Sequence, residues 1–215
     1  MANPLDEMLR THVAPVLTGA GYRRSGRVYR FAAPNGDLAV IEFPARVLSR
    51  DYVDFAVTTG VAPTPAVDWI RRKAETMDSQ APGLECRLIR VDLTPPRRWW
   101  RGVGTPDMDQ HWGFKKDDGG DQCGIELAGL LADQVVPTLR RLLDRQELLA
   151  EVRNPRLGDK ASLNFGKELA EIVMLVDHGP TPDLEELLES REAANPQDEL
   201  ASWARRRLAS RAAAG

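Results

Sequence analysis

A chain of 215 residues, 42% hydrophobic and 28% charged, has the length and composition of one globular domain with or without an appendage. Its net charge of −3 gives no general attraction to nucleic acid or to an anionic membrane. Two distant cysteines, Cys86 and Cys123, exclude a secreted disulfide scaffold and are expected to be reduced. The acidic N-terminus lacks the pattern of a signal peptide, and no apolar stretch approaches the roughly 20 residues of a membrane span. The chain is therefore predicted to be cytoplasmic and not to bind membranes.

Two long helices are predicted, over residues 4–20 and 121–144, because apolar residues recur there at helical spacing. A proline should bend each helix, since proline removes a backbone donor and crowds the preceding turn. The bends fall at matching positions, because Leu9-x-x-x-Val13-x-Pro15-x-Leu17 has the same spacing as Leu131-x-x-x-Val135-x-Pro137-x-Leu139. We interpret this echo as a shared packing solution that lets the two helices lie side by side across a sheet.

Four strands are predicted between these helices, from alternating apolar residues and from turn chemistry such as Pro34-Asn35-Gly36-Asp37. They cover residues 27–31, 38–43, 51–61 and 86–93, and a helix is expected at 65–77. Sequential strands with hairpin-type links favour an antiparallel sheet. The predicted fold class is therefore α+β, with an antiparallel sheet of four or more strands covered by helices.

The character of the chain changes near residue 154, where a linker at residues 154–159 precedes three predicted helices at 162–177, 182–191 and 196–211. We therefore divide the chain into an α+β domain at 1–153 and a helical C-terminal extension at 154–215. The 162–177 helix is strongly apolar and should be buried against the domain or between its neighbours. The second helix is acidic and the third is basic, which indicates a partly self-neutralising antiparallel pair.

The stretch Gly21-Tyr22-Arg23-Arg24-Ser25-Gly26-Arg27-Val28-Tyr29-Arg30 resembles the opening of the bacterial Domain of Unknown Function 4304 family. The similarity extends through Phe55-Ala-Val-Thr-Thr-Gly60 to Trp99-Trp100 and covers residues 5–150, approximately. The family's second strand often contains an Asn-aromatic-Gln run, which here reads Glu42-Phe43-Pro44. The resemblance implies the leading helix and the paired strands. It implies no chemistry, because the family has no assigned activity.

The outer face of the predicted sheet is the first candidate site. If the apolar residues of each strand point towards the helices, alternation sends Arg30, Glu42, Asp54 and Arg90 to the opposite face. Two arginines and two carboxylates could hold a polar ligand there. Solvated cross-strand ion pairs are the alternative interpretation.

The long connection over residues 95–120 is the second candidate, because its tryptophans and arginines suit either base stacking or a protein interface. The acidic chain disfavours nucleic acid. The alternative interpretation is that the arginines are solvated around one buried tryptophan. Arg23, Arg24 and Arg27 are possible additions to this surface. The candidate binding residues in the connection are Arg97, Arg98, Trp99, Trp100, Arg101, His111 and Trp112.

The sequence contains no recognisable metal-binding or catalytic motif. Asp109, His111 and Cys123 have no zinc spacing, and the chain lacks a nucleophile elbow, a Cys-His signature and a phosphate loop. We therefore expect no catalytic residue, no metal and no cofactor.

The sequence favours a non-enzymatic module that binds another protein, of the kind bacteria use as immunity or accessory factors. A small-ligand-binding protein or an undescribed enzyme that uses the open face of the sheet is the alternative. The partner, the substrate and the oligomeric state are left open. A cavity lined by the charged face would favour the alternative, whereas a flat exposed tryptophan patch would favour a protein partner.

Overall fold

The computed structural model describes residues 3–48, 51–73, 84–99, 111–118 and 120–213. In this part of the chain the helices are α1 (residues 4–19), α2 (Thr64–Lys73), α3 (residues 121–142), α4 (Arg145–Arg153), α5 (Lys167–Leu175), α6 (Pro182–Ala194) and α7 (Glu199–Ala212). The strands are β1 (Arg23–Ser25), β2 (Val28–Ala32), β3 (Leu38–Glu42), β4 (Ala45–Leu48), β5 (Tyr52–Phe55), β6 (Thr58–Ala62), β7 (Ile89–Asp92), β8 (Trp112–Lys115) and β9 (Ala161–Leu163). These elements form an α+β fold with a helical C-terminal region, which confirms the predicted fold class. Across the described ranges, no helix has both the length and the apolar character needed to cross a bilayer.

Helix α1 contains a π-helical turn at Leu9–Val13, between α-helical segments at Pro4–Met8 and Ala14–Gly19. The turn ends where the Ala14 N–H donates to the Leu9 carbonyl five residues back. Pro15 follows immediately and has no N–H to donate. The wider turn therefore accommodates the proline, and the helix continues without a break.

Helix α3 repeats this arrangement, with a π-helical turn at Leu131–Val135 between Asp121–Leu130 and Val136–Leu142. The Val136 N–H donates to the Leu131 carbonyl, one residue before Pro137. The spacing that the two helices share in sequence therefore corresponds to a shared backbone feature, a π-helical turn before the proline. Each proline follows a π-helical turn, and the bend expected at each proline stays a prediction.

Helices α1 and α3 pack directly against each other, so they lie on the same side of the sheet as predicted. Their close approach depends on Gly124, where an added Cβ would lie 2.6 Å from Cδ2 of His12 and 2.9 Å from Cγ of Met8. The His12 ring nitrogen Nε2 also lies 2.8 Å from Oδ1 of Asp121, at the start of α3. Gly124 and this polar contact fix how the two helices sit together.

The described strands form two antiparallel sheets. The larger has six strands in the order β1-β2-β3-β6-β7-β9, and the smaller has three in the order β4-β5-β8. Alternate side chains of the six-stranded sheet enter the main core beneath α1 and α3. These buried residues are Tyr29, Ala39, Ile41, Thr59, Val61, Ile89 and Val91.

The single strand predicted at residues 51–61 is wrong, because β5 and β6 belong to different sheets. The chain crosses from one sheet to the other at Ala56, whose N–H donates to the Pro44 carbonyl. Strand β4, which pairs with β5, was not predicted. The burial of Val53, Phe55, Val57, Thr59 and Val61 keeps one continuous period of two across the crossing. The sequence pattern therefore carries no sign of the break.

The C-terminal region begins by adding a strand to the larger sheet, since β9 pairs with β7. The predicted helix at 162–177 is therefore wrong at its start, because Ser162 and Leu163 are in β9. The Asn164 N–H continues the pairing by donating to the Leu88 carbonyl, and α5 starts only at Lys167. The rest of the prediction holds, since α5 buries Ala170, Ile172, Val173, Met174 and Leu175.

Helices α6 and α7 pack outside α5 and form the predicted acidic–basic pair. Arg205 of α7 is ion-paired with Glu185 and Glu192 of α6. Helix α7 also reaches the N-terminal half of the chain, where the Trp203 ring lies 5.5 Å from that of Trp69 in α2, centroid to centroid.

A buried ion-pair network links the β2–β3 turn to the C-terminal helices. Arg145 donates two hydrogen bonds of 2.8 Å to Asp37 and one of 2.8 Å to Asp177. Asp37 also accepts from the backbone N–H and the hydroxyl of Thr64, and Asp177 accepts from Arg207. Only 1% of the Asp37 side chain and 7% of the Asp177 side chain are exposed. Each buried carboxylate is thus held by several donors.

The network keeps both carboxylates ionised. Burial by itself raises the pKa of Asp37 and Asp177, but hydrogen bonds from the arginines and Thr64 outweigh it, so both values fall below the ordinary 3.8. A group with a lowered folded pKa adds stability that is complete above its unfolded value and is lost as the pH falls through its folded value. The network therefore contributes fully at neutral pH.

Replacing Gly124 by alanine should lower the free energy of unfolding by about 1–3 kcal/mol, because the new methyl group meets His12 and Met8. Gly129 of the same helix is the matched control, since an added Cβ there meets nothing within 4 Å. The Gly129→Ala variant should be neutral or more stable by up to about 1 kcal/mol. Urea unfolding of both variants measures the difference. Equal effects at the two positions would show that α1 and α3 do not need this close contact.

Replacing Arg145 by alanine should cost about 3–5 kcal/mol, because Asp37 and Asp177 then stay buried without their shared cation. Arg10 is the control, since its pair with Glu7 is exposed and long at 3.8 Å. The Arg10→Ala variant should lose less than about 0.5 kcal/mol. Urea unfolding at neutral pH distinguishes them. A loss at Arg145 as small as that at Arg10 would contradict a structural role for the network.

Candidate functional site

The outer face of the six-stranded sheet, the side turned away from α1 and α3, carries charged residues in two rows. The register between neighbouring strands defines the rows, because directly paired residues point to the same side. The basic row consists of Arg23, Arg30, Val40, Gly60, Arg90 and Ser162. The acidic row consists of Ser25, Val28, Glu42, Thr58 and Asp92. Three of the four residues predicted for this face, Arg30, Glu42 and Arg90, therefore do share it.

One end of the outer face is covered. Helix α2 and the turn at Leu84–Cys86 pack there in a small apolar cluster made of Ala62, Val67 and Cys86, with Leu38 and Ile70 against it. The charged rows lie beyond this cluster. Their side chains are partly exposed at Arg30, Glu42, Arg90 and Asp92.

Gly60 lets a further arginine lie flat on the outer face. An added Cβ at Gly60 would be 2.3 Å from the Ile89 carbonyl oxygen and 2.5 Å from Cδ of Arg87. The Arg87 side chain fills this space, and its Nη1 donates a hydrogen bond of 3.1 Å to the Thr59 carbonyl. Burial and then the charge of Arg90 lower the pKa of Arg87. A basic group is thus added between the two rows.

The charges on this face partly compensate one another. Burial raises the pKa of Glu42, and Arg87 and Arg30 act against that rise. Nε of Arg90 donates a hydrogen bond to Oδ1 of Asp92 two residues along β7. The face therefore presents both signs of charge close together on a rigid sheet.

Asp54 is the exception among the predicted outer-face residues. It lies on β5, opposite Gly113 of β8, and so belongs to the smaller sheet. The prediction that it shares a face with Arg30 and Glu42 is wrong because the strand was assumed to be continuous. Its charge instead acts on His111. The Asp54 carboxylate tends to raise the pKa of His111, but burial and Arg46 lower that pKa by more.

A small cavity of about 40 Å³ lies where the two sheets meet. It is lined by Arg46, Ala56, Val57, Arg90, Asp92, Leu93 and His111. The outer face thus continues into this junction cavity through Arg90 and Asp92. His111, predicted as part of the tryptophan connection, is brought next to Arg90 here.

The surroundings of His111 favour its neutral form. Burial and the nearby positive charge of Arg46 lower its pKa from the ordinary 6.5, and the carboxylate of Asp54 opposes them. A neutral imidazole offers one donor and one acceptor nitrogen. The junction cavity therefore combines two cations, one carboxylate and a neutral imidazole.

The tryptophans of the connection have structural positions wherever the structure describes them. Trp112 is fully buried, stacks on Phe55 at 6.2 Å between ring centroids and donates to the Leu93 carbonyl. Its assignment as a surface binding residue is corrected, because it fills the core between the sheets. Trp99 is partly buried and donates its indole N–H to Glu126 of α3. Trp100 and Arg101 lie outside the described residues, as does the side chain of Arg98.

Arg97 is exposed at the start of the three-residue turn Arg97–Trp99. Of the possible additions to its surface, Arg27 is paired with Asp6, while Arg23 and Arg24 lie at the edge strand β1. The structure therefore does not bring the sequence-predicted arginines together into one basic-aromatic patch within the described ranges.

The two cysteines are unpaired, as predicted, and both are buried. Burial raises the pKa of Cys86 to about 11 and that of Cys123 to about 12, so neither is a thiolate at neutral pH. Asp109 lies outside the described residues. Among those residues, no cluster of three or more histidine, cysteine or acidic side chains has a metal-binding arrangement.

Sequence reasoning missed three residues of the site, Arg46, Arg87 and Asp92. Asp92 could have been found, because it follows Arg90 by two residues and so shares its face. Arg46 is on the unpredicted strand β4. Arg87 precedes its strand and reaches the face only because Gly60 leaves room.

Residues 13–141 match the family described as a domain of unknown function, DUF4304. The match covers more than half of the chain, which therefore belongs to this family. It includes β1 to β8 and ends within α3. No curated protein and no solved structure matches the chain.

The pKa of His111 should lie below 6.5 when its ring protons are titrated by NMR. Replacing Arg46 by glutamine should raise this pKa, because a repelling cation is removed, and replacing Asp54 by asparagine should lower it further. The Arg10→Gln variant, changed on the exposed side of α1, should titrate like the wild type. A His111 pKa that does not respond to Arg46 would show that the two are not neighbours at the junction.

Proposed function

We propose that this chain is a non-enzymatic protein-binding module of the bacterial cytoplasm that docks its partner on the outer face of the six-stranded sheet. The observation that carries the proposal is the pair of charged rows on that face, one basic and one acidic. Their side chains come from neighbouring strands and are fixed by the sheet register. The two cysteines are buried and not bridged to each other, an arrangement typical of proteins in reducing compartments.

Two adjacent stripes of opposite charge suit a partner with the complementary stripes. Charge patterns of this kind steer association and exclude wrong partners, because a shifted or reversed docking places like charges together. The backbone beneath the rows is a sheet, so the pattern needs no reorganisation on binding. An accessory or immunity-type role, in which one specific protein is recognised, agrees with this arrangement.

The outer face replaces the tryptophan connection as the main docking surface in this proposal. Trp99, Trp112, Trp69 and Trp203 are all buried or partly buried. The one large hydrophobic side chain that is well exposed in the described ranges is Ile125, on α3. Described tryptophans therefore offer no flat aromatic patch to a partner.

A small-ligand site at the junction cavity is the second candidate. It is favoured by the convergence of Arg46, Arg90, Asp92 and His111 on one enclosed space. The volume of about 40 Å³ weighs against a metabolite, since drug-sized ligands occupy roughly 300–1,000 Å³. The cavity has room for a water molecule or a small ion. We therefore rank protein binding first.

The test compares proteins captured from a lysate of the native host by the wild type and by a Glu42→Lys, Arg90→Glu double variant. The variant reverses one charge in each row and leaves the net charge unchanged. A specific partner should be captured by the wild type and lost by the variant. Binding between the purified proteins should then weaken by at least about tenfold in the variant, since each reversed contact costs several kcal/mol.

The matched control is a Glu7→Lys, Arg10→Glu double variant, which swaps an exposed charge pair on α1. It should capture the same partner as the wild type. Equal capture by the outer-face variant and the wild type would overturn the docking surface. A partner lost by both double variants would point to a general charge effect and would also contradict the proposal.

A further inference from the structure

The two charged rows on the outer face run parallel to each other and lie two residues apart along the strands that carry them. The basic row holds Arg23, Arg30 and Arg90, and the acidic row holds Glu42 and Asp92. Both rows cross the strands roughly at a right angle, because they follow the register from one strand to the next. The face therefore has a positive side and a negative side, separated by a line that runs between the rows.

A face with one positive and one negative side is complementary to a second copy of itself. Two identical sheets that face each other can be related by a twofold axis in the plane between them. When this axis runs along the line between the rows, the rotation places each basic row over the acidic row of the other copy. Each attraction is then made twice, as in any isologous interface.

Strand β7 shows this match most directly, because Arg90 and Asp92 belong to different rows and are two residues apart on one strand. After the rotation β7 of the second copy runs antiparallel to β7 of the first, so Arg90 of each copy lies opposite Asp92 of the other. Facing sheets pack about 10 Å apart, a distance that an arginine and an aspartate side chain span together. The two side chains already bond to each other within one chain, and 40% and 17% of their surfaces are exposed. The second copy would add the same contact between chains.

Arg30 and Glu42 are complementary in the same arrangement, although they lie on neighbouring strands. The rotation places Arg30 opposite Val28 of the second copy. Glu42 is the register partner of Val28, one strand further and about 5 Å away. Within one chain the charge of Arg30 already acts on Glu42. The facing sheets would therefore repeat between the chains an attraction that exists within each.

Arg87 would approach its own counterpart across the axis, because it lies flat between the rows. The charges of Asp92, Glu42 and Glu85 act on Arg87 within the same chain and offset its charge. Its hydrogen bond to the Thr59 carbonyl holds the guanidinium against the sheet. A cation that is compensated in this way adds little repulsion between the two copies.

We propose that the outer face pairs with the outer face of a second copy of this chain, related by a twofold axis between the charged rows. The inference rests on the proposed function and deepens it, because it states what covers the docking face before another protein arrives. Exposed ion pairs contribute little each and are screened by salt, so the dimer is weak and dissociates on dilution. A partner with better matched stripes can then displace the second copy.

Sedimentation equilibrium of the purified full chain tests the proposal. The wild type should dimerise at high protein concentration and low ionic strength, and should be monomeric in about 1 M salt, where the screening length falls to about 3 Å. In NMR spectra recorded over the same protein concentrations, the amides that shift should be those of residues 28–30, 40–42, 58–60 and 90–92. A wild type that stays monomeric up to roughly 1 mM would overturn the proposal.

Two single charge reversals test the predicted contact on β7. The Arg90→Asp and Asp92→Arg variants each place like charges opposite each other, twice in every dimer. The dissociation constant of the dimer should rise at least about hundredfold in either variant. The Arg10→Asp variant is the matched control, since it makes the same charge change at an exposed position on α1, and it should dimerise like the wild type. Unchanged dimerisation of either β7 variant would contradict the arrangement.

An equimolar mixture of the two β7 variants separates pairing from folding. In a mixed dimer one chain carries two acidic side chains at these positions and the other carries two basic ones, so both contacts are attractive. The mixture should form a dimer although neither variant does so alone. Both variants keep a net negative charge, because one reversal changes the wild-type value of −3 by two, so a general attraction is not the cause. A mixture that stays monomeric would count against the twofold axis.

The double variant Arg90→Asp, Asp92→Arg distinguishes self-pairing from the proposed function. Its exchanged charges still face each other across the axis, so it should dimerise like the wild type, and loss of its dimer would overturn the inference. A foreign partner whose stripes match the wild type would meet like charges, so capture from the lysate should be lost. A wild-type dimer with no captured partner would remove the proposed function and leave self-pairing. Capture by a chain that is always monomeric would do the reverse.

Discussion

The shared cation at Arg145 joins the β2–β3 turn to the C-terminal helices in the interior of the protein. It binds Asp37 from the β2–β3 turn and Asp177 from the end of α5, both almost fully buried. The match to the family ends at residue 141, so Asp37 lies within the matched region while its cation lies outside it. A buried carboxylate without a partner is costly. A buried carboxylate of the family region is therefore neutralised by a residue of the chain that follows it. The β2–β3 turn, and with it the sheet that carries the outer face, depends on this contact.

The sequence predicts those features of the fold that depend on local periodicity. Both long helices follow from apolar spacing, and the matching positions of Pro15 and Pro137 indicated that the two helices are built alike. What periodicity could not supply was the change of sheet at Ala56. The burial pattern keeps its phase there, because both sheets bury their side chains against the same core. Strand β9 was missed for a related reason. Its few residues precede an apolar helix and resemble that helix in composition, whereas only the free edge of β7 makes them a strand.

The candidate site shows the same division. Arg30, Glu42 and Arg90 were predicted on one face because alternation fixes the side of a strand on which a residue lies. Asp54 was misplaced because its strand belongs to another sheet. Arg87 lies on the face because Gly60 has no side chain there, which leaves space for the arginine. Only the tertiary structure shows which residue fills such a space. The site was thus predictable for residues of strands that the sequence placed in the correct sheet, and hidden where a strand was missed or where one residue fills the space left by another.

The position of β9 also bears on how the protein is made. Strand β7 has its second neighbour only after residue 163 has been synthesised, some 70 residues later. Until then the nascent chain presents an open strand edge that can pair with other chains. The growing protein must therefore keep that edge apart from its neighbours for the several seconds that translation of the remaining segment takes. Premature termination in this interval would release a chain in which one edge of β7 is uncovered.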